Sequence, residues 1–280
     1  MAGEYVDRII EGDCLQIMPG IADKSIDMVL CDLPYGCTQN KWDTVIDLQE
    51  LWLQYKRIIK PNGVIALMAQ GAFTGHVITS NTDWFKYKIA WIKSKSTNFL
   101  NANKQPLRRH EDICIFYNKQ PTYQPQKLSG QPYDRGIRKD NMSGTYGKYN
   151  TSRINSKDGS RYPYDILFYE EEFTDWIYSK TAQYEGTYHP TQKPIDLGRW
   201  LIRTYTRPGD IVLDNACGSG SFLVAAILEQ RHFIGIEKND RSYHFNQSVN
   251  FIDICNRRVK DALRQRGSTL QLFKTIDNKK

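Results

Sequence analysis

The 280-residue sequence has no C-x-x-C pair among its six cysteines, at positions 14, 31, 37, 114, 217 and 255. That absence excludes the paired-cysteine zinc and dithiol redox signatures, and it predicts reduced thiols with no metal site. No apolar run approaches the ~18 residues that a bilayer-spanning helix needs. The opening stretch MAGEYVDRIIEGD carries charges where a secretory leader would need apolar residues. A cytoplasmic, soluble chain without membrane contact is the expectation. Internal repeats and low-complexity tracts are missing too, beyond a short polar C-terminus, which excludes a solenoid. Acid is the scarcer charge, 31 Asp and Glu against 38 Lys and Arg, for a net +7 and an isoelectric point near 9.0. An excess of base suits a polyanionic partner without identifying one. The length fits one large α/β domain carrying an inserted or appended module better than two equal domains.

What is present is a repeated grammar. The apolar run IDMVLC at 26–31 ends at Asp32, with Pro34 close behind, as a buried strand ending in a turn would. Leu48, Leu51, Trp52, Tyr55, Ile58 and Ile59 recur at helical spacing, Pro61-Asn62-Gly63 breaks that helix, and VIALM at 64–68 reads as a second buried strand. Strand, helix, strand implies a parallel sheet. The last third repeats the pattern: a helix after Pro194, the strand DIVLD to Asp214, a glycine-rich turn, a helix around FLVAAILEQ, and the strand FIGIE to Glu237. Ligands of an open α/β sheet bind beyond the carboxyl ends of its strands, so Asp32, Asp214 and Glu237 should converge.

The texture between these halves differs. Residues 119–165 hold nine Lys and Arg, four Asp, six tyrosines and five glycines without a sustained apolar period, and 93–110 hold five Lys and Arg and no acid. A solvated insertion would look like this. So would a DNA-facing module, because phosphate contacts need Lys and Arg. Tyr123, Tyr133, Tyr146, Tyr149, Tyr162 and Tyr164 could stack on bases, although surface tyrosines more often simply pack.

Two constellations carry chemistry. In Asp214-Asn215-Ala216-Cys217-Gly218-Ser219-Gly220 two glycines let backbone pass close to a ligand, but the third glycine of the dinucleotide fingerprint is lacking. Glu237 follows 23 residues after Asp214 (237 − 214), the distance at which a carboxylate can grip ribose hydroxyls. A structural glycine turn followed by a strand-end Glu is the bland alternative. A carboxylate at Asp214 favours a ligand bearing an ammonium over one bearing phosphates, and S-adenosylmethionine has adenosine at one end and an amino acid at the other.

The second constellation is Asp32-Leu33-Pro34-Tyr35-Gly36. The lone pair of an aromatic amine such as adenine N6 is delocalised into the ring, and acceptors on both N–H groups localise it. An ionised Asp32 supplies one acceptor and a main-chain carbonyl, expected from Leu33, the other; Tyr35 would stack on a base turned out of the helix. Taken alone, the segment could be an ordinary proline turn.

Together these segments resemble the S-adenosylmethionine-dependent DNA amino-methyltransferases, over most of the chain. That family pairs a catalytic [DNS]-P-P-[YF] tetrapeptide, matched by Asp32, Leu33, Pro34 and Tyr35, with a cofactor-binding D-x-x-x-G-x-G turn, matched by Asp214 to Gly220. Leu33 replaces the first proline. The order, tetrapeptide first and glycine turn last, resembles the permuted β group of that family.

The resemblance implies a Rossmann-like methyltransferase fold, a mostly parallel twisted sheet flanked by helices. Residues 1–118 would form the catalytic half, 119–185 a target-recognition insertion and 186–280 the cofactor-binding half. It implies cofactor contacts from Asp13, Lys193, Asp214, Asn215, Gly218, Gly220 and Glu237. Asp13 follows Gly12 as an acidic strand end would, although a lone Gly-Asp is equally a turn. Lys193 belongs to His189-Pro190-Thr191-Gln192-Lys193-Pro194, which resembles the segment beside the methionine end of the cofactor. His110-Glu111-Asp112-Ile113 resembles a structural strand start, with no catalytic role assigned.

The implied substrate is double-stranded DNA methylated at adenine N6, since cytosine-N4 enzymes of the family more often carry Ser where Asp32 stands. Cytosine N4 is the runner-up, and a non-catalytic DNA-binding specificity partner is the alternative of another class. An RNA target is disfavoured because no RNA-module signature is evident. A homodimer and a companion restriction endonuclease are partners the resemblance raises and a single sequence does not show.

Overall fold

The computed structural model describes residues 4–36, 44–137, 153–167, 192–239, 243–244, 247–248 and 250–277. Its elements, in chain order, are β1 (Arg8–Glu11), α1 (Cys14–Ile17), β2 (Ile26–Cys31), α2 (Leu48–Ile58), β3 (Ile59–Ala69), α3 (Ala72–Thr79), β4 (Phe85–Thr97), β5 (Arg108–Phe116), β6 (Tyr133–Ile137), β7 (Arg153–Ser156), β8 (Ile166–Leu167), α4 (Ile195–Tyr205), β9 (Ile211–Asp214), α5 (Ser221–Leu228), β10 (His232–Glu237) and α6 (Phe251–Asp277). Eight strands form one sheet in the order β1-β10-β9-β2-β3-β5-β4-β8. The first five are mutually parallel; β5 runs antiparallel to β3 and to β4, and β8 lies parallel to β4. The arrangement is a Rossmann-like α/β fold.

The sheet is covered on both faces, which is why its central strands read as continuous apolar runs rather than alternating ones. Successive side chains of β2 point to opposite faces. Met28 and Leu30 pack with Leu197, Trp200 and Leu201 of α4 and Phe222 and Leu223 of α5. Val29 and Cys31 pack with Leu51, Trp52, Tyr55 and Ile58 of α2 and Phe73 and Val77 of α3. Every β2 side chain named here is fully buried, so truncating a residue such as Leu30 to alanine should cost about 2–5 kcal/mol.

Helix α2 follows from its sequence. Asp47 caps it, accepting from the N–H groups of Gln49 (2.8 Å) and Glu50 (3.2 Å), and Lys56 and Arg57 occupy its last turn, where they complement the helix dipole. The strand expected to begin at Val64 begins at Ile59. Ile59 pairs with Ile26 and Val64 with Met28, so Lys60 to Gly63 form a bulge inside β3. Pro61 lacks an N–H and fits a bulge better than a regular ladder position.

The expected insertion divides. Its first residues lie on α4: the N–H of Gln124 donates to the Thr204 carbonyl (2.8 Å) and Gln126 Nε2 to the Trp200 carbonyl (2.7 Å). β6 and β7 then form a separate antiparallel pair, and β8 returns to the main sheet. Tyr146, Tyr149, residues 168–185 and His189 to Thr191 lie outside the described residues, as does Cys37. The other five cysteines are buried free thiols. Among the described residues no helix is long and apolar enough to cross a membrane, and no cluster of His, Cys, Asp and Glu could hold a metal.

Candidate active site

β10, β9 and β2 are neighbours, so Glu237, Asp214 and Asp32 stand at or just past the carboxyl ends of three adjacent parallel strands. The expected convergence is met. Burial pushes Asp214 up to about 8, with Asp32 and Glu237 adding to the rise. Burial likewise raises Glu237, while the N–H groups of Gly218 (2.7 Å) and Asn239 (3.1 Å) pull it back down. The glycine turn is thereby hung on the carboxylate that ends the next strand. At Gly220, φ is +79° and an added Cβ would collide with the Cys255 sulfur, so only glycine fits.

Asn215 is almost wholly buried, and its Oδ1 accepts from the Tyr55 hydroxyl (2.5 Å). Its Nδ2 has no oxygen or nitrogen acceptor, with only the Cys14 thiol in reach. Asp13 stands two residues past the end of β1, the strand beside β10. It caps α1 by accepting from the Leu15 N–H (3.0 Å), and Lys238 lies 3.4 Å from its other oxygen.

Around Asp32 the geometry is denser than the sequence foretold. The Tyr35 hydroxyl donates to Oδ1 (2.8 Å) and Lys193 Nζ to Oδ2 (2.6 Å). Lys193 Nζ also lies 3.2 Å from Glu111 Oε2, and Lys93 Nζ 3.0 Å from Glu111 Oε1. The charges therefore alternate along a line: Asp32, Lys193, Glu111, Lys93. Antiparallel β5 makes this line, because Glu111 lies one residue before Asp112, the partner of Ala69 at the end of β3. An early residue of β5 thus sits at the edge where β2 and β3 end.

Burial pushes Asp32 up, Lys193 draws it partly back and Glu111 opposes that draw. Glu111 is pushed up by burial too, yet the two lysines outweigh it and hold the carboxyl below its usual range. Burial works against the Lys193 ammonium, but Asp32 and Glu111 win and raise it above a free lysine.

Lys193, which the resemblance set among the cofactor contacts, thus pairs with Asp32 in the turn after β2. Glu111, read as structural, is its second partner. The Tyr35 ring lies on Phe73 (centroids 5.0 Å apart, 27° between planes), a contact that the sequence did not announce. Leu33 is 2% exposed and packed in the α2-facing core, which anchors the turn where a second proline is absent.

This arrangement can hold a cationic, adenosine-like ligand along β1, β10 and β9, and present a charged acceptor from β2 beside it. M.BglII of Bacillus subtilis, a type II methyltransferase, is 26% identical over 266 residues, covering 84% of this chain; the chain spans 66% of that relative's length. The solved structure of M1.HpyAVI with SAM superposes with a TM-score of 0.57 at 20% identity, covering 90% of this chain and 98% of the other. The PvuII DNA methyltransferase, described as cytosine-N4-specific, gives 0.56 at 18% identity, covering 90% and 92%. At those identities the solved structures share the fold. Residues 26–248 match the model of the N6/N4 DNA methylases, and the chain belongs to that family.

Proposed function

We propose that this chain transfers the methyl group of S-adenosylmethionine to adenine N6 of a base turned out of double-stranded DNA. One observation carries the reading: Asp214 ends β9 and Asp32 follows directly on its neighbour β2, so the amine-binding turn and the glycine turn share one edge.

The residues present fit the cofactor. Glu237 suits ribose hydroxyls, Asp214 an ammonium, and the buried Nδ2 of Asn215 is a donor with no good acceptor. Asp13 and the backbone of Gly218 and Gly220 complete the set. When bound, S-adenosylmethionine supplies an activated methyl on its sulfonium.

The protein's own part is acceptance and alignment. The Asp32 carboxylate accepts one N–H of the target amine, taking it in place of the Tyr35 hydroxyl now on Oδ1. The Leu33 carbonyl accepts the other, and the nitrogen lone pair is left to point at the methyl. Tyr35, backed by the buried Phe73, offers the aromatic face against which the base lies. Lys193 holds Asp32 by its second oxygen and keeps it charged despite burial, with Glu111 fixing Lys193 from behind. A nitrogen that has gained a methyl must shed a proton, and a carboxyl raised by burial is placed to take it. The basic residues of 119–185 serve to read and hold the target sequence.

Nuclease digestion of DNA methylated by the purified chain, followed by mass analysis of nucleosides, tests the reading. N6-methyladenine is expected. N4-methylcytosine would transfer the same mechanism to the other exocyclic amine, and no methylation of any DNA would favour a binding partner without turnover.

A further inference from the structure

The turn between β4 and β5 places bare apolar side chains at the sheet edge that carries Asp32. Leu100 is 90% exposed and Phe99 72%, the two large apolar residues most open to water among those described, and Leu107 is 43% exposed. The turn is internally held. The Asn101 N–H donates to the Asn98 carbonyl (3.0 Å), that of Ala102 to Phe99 (3.1 Å) and that of Lys104 to Asn101 (2.8 Å). Asn98 takes the left-handed conformation, with its Oδ1 accepting from Asn101 Nδ2 (2.8 Å). Exposure here belongs to an ordered tip.

Topology sets where the tip stands. β4 runs antiparallel to β5, which runs antiparallel to β3, so β4 ends at the same edge of the sheet as β3 and β2. Lys93, the last member of the charge line that starts at Asp32, lies on β4 four residues before its end at Thr97. Those four residues carry the tip at most about 13 Å beyond Lys93 at ~3.3 Å each. The surrounding charge has one sign: Lys95, Lys104, Arg108 and Arg109 are exposed, and no acid occurs from 93 to 110. A second copy of the same tip would be repelled. A polyanion would be attracted, and the base stack is the apolar interior that a polyanionic duplex offers.

We propose that this tip is a wedge: Phe99 and Leu100 enter the DNA base stack beside the nucleotide delivered to Asp32 and fill the space it vacates. The proposal rests on the DNA-methylase reading. Extruding a base costs stacking, and an apolar side chain that replaces the lost contacts offsets part of that cost.

The test compares the intact protein with a Phe99→Ala/Leu100→Ala variant on two duplexes bearing the methylated sequence. One is fully paired; the other has an abasic site opposite the target base, so the target is already loose. The expected loss in kcat/KM is about 100-fold on the paired duplex and under about threefold on the loosened one, with S-adenosylmethionine affinity unchanged. Equal losses on both duplexes, or no loss on the paired one, overturn the wedge. If the unaltered chain methylates no DNA, the methylase reading fails separately, and a Phe99→Trp variant then decides. Quenching of its added fluorescence by mixed-sequence duplex supports insertion, and unchanged fluorescence on saturation overturns it.

Discussion

Replacing Lys193 by methionine isolates what the charge line contributes. The change keeps the length and apolar stem of the side chain and deletes one ammonium, which now sits 2.6 Å from Asp32 and 3.2 Å from Glu111. Two carboxylates then face each other without a cation between them. Burial already pushes Asp32 above the usual carboxylate range, and Lys193 is the charge that draws it back. An opposite charge within ~4–6 Å is worth about 1–3 pKa units, so Asp32 should rise by roughly that much.

The sign follows. A base that must be ionised works only above its pKa, so a raised pKa moves the acid limb of the rate profile to higher pH. The groups facing Asp32 are Tyr35 on its own loop, Lys193 before α4, Glu111 on β5, Asp214 on β9 and the Cys31 thiol of β2; of these, only Lys193 is cationic. The assay is single-turnover methyl transfer from labelled cofactor between pH 6 and 10. The acid limb of transfer by Lys193→Met should move up by about 1–3 pH units, with the rate recovering toward the unaltered one at high pH. Glu111→Gln should shift the limb the opposite way, because it removes a repelling charge. A profile that drops uniformly, with the limb unmoved, would refute electrostatic support and leave Lys193 a packing residue.

Asp32→Ala should abolish transfer while calorimetry shows cofactor affinity nearly intact, if the deleted carboxylate is the proposed acceptor of the amine. Glu237→Ala should weaken cofactor binding about 10–100-fold, since a bond to a charged group is worth about 1.5–3 kcal/mol and the Gly218 N–H loses its anchor as well. Unchanged affinity would place the carboxylate elsewhere. Burial pushes Asp214 up to about 8, so in the proposed role it would have to ionise to meet an ammonium. Cofactor affinity should therefore climb as pH rises toward 8 and fall again above it as the ligand's own ammonium deprotonates, a bell that calorimetric titrations across pH would detect. DNA affinity should fall steeply with added salt as counterions are reclaimed, and a flat titration would contradict a basic DNA-facing surface.

The strands that end in Asp32, Asp214 and Glu237 were legible because each is an apolar run stopped by an acid, a pattern that local sequence carries. Their convergence followed from the geometry of parallel sheets. The charge line was not legible. Lys193 and Asp32 are 161 residues apart, and only the antiparallel return of β5 puts Glu111 between Lys93 and Lys193. The contact of Tyr35 with Phe73 and that of Tyr55 with Asn215 escaped for the same reason: no local period encodes a pairing made by helices lying over a sheet. The early start of β3 was hidden because Pro61-Asn62-Gly63 reads as a stop signal, although a bulge tolerates the same residues.

The order of the sheet bears on how the molecule comes into being. β1 and β2 are consecutive along the chain yet separated in space by β9 and β10, the last of the sheet's eight strands to be translated. While the ribosome works through the middle of the message, one long flank of β2 has no strand to bond with, and β1 has none at all. Contacts that bridge such spans form slowly, and bare strand edges invite association between nascent chains. Synthesis in the cell should accordingly be sensitive to chaperone supply, and a chain halted before Ile211 should be neither soluble nor able to hold cofactor, however complete its Asp32 loop.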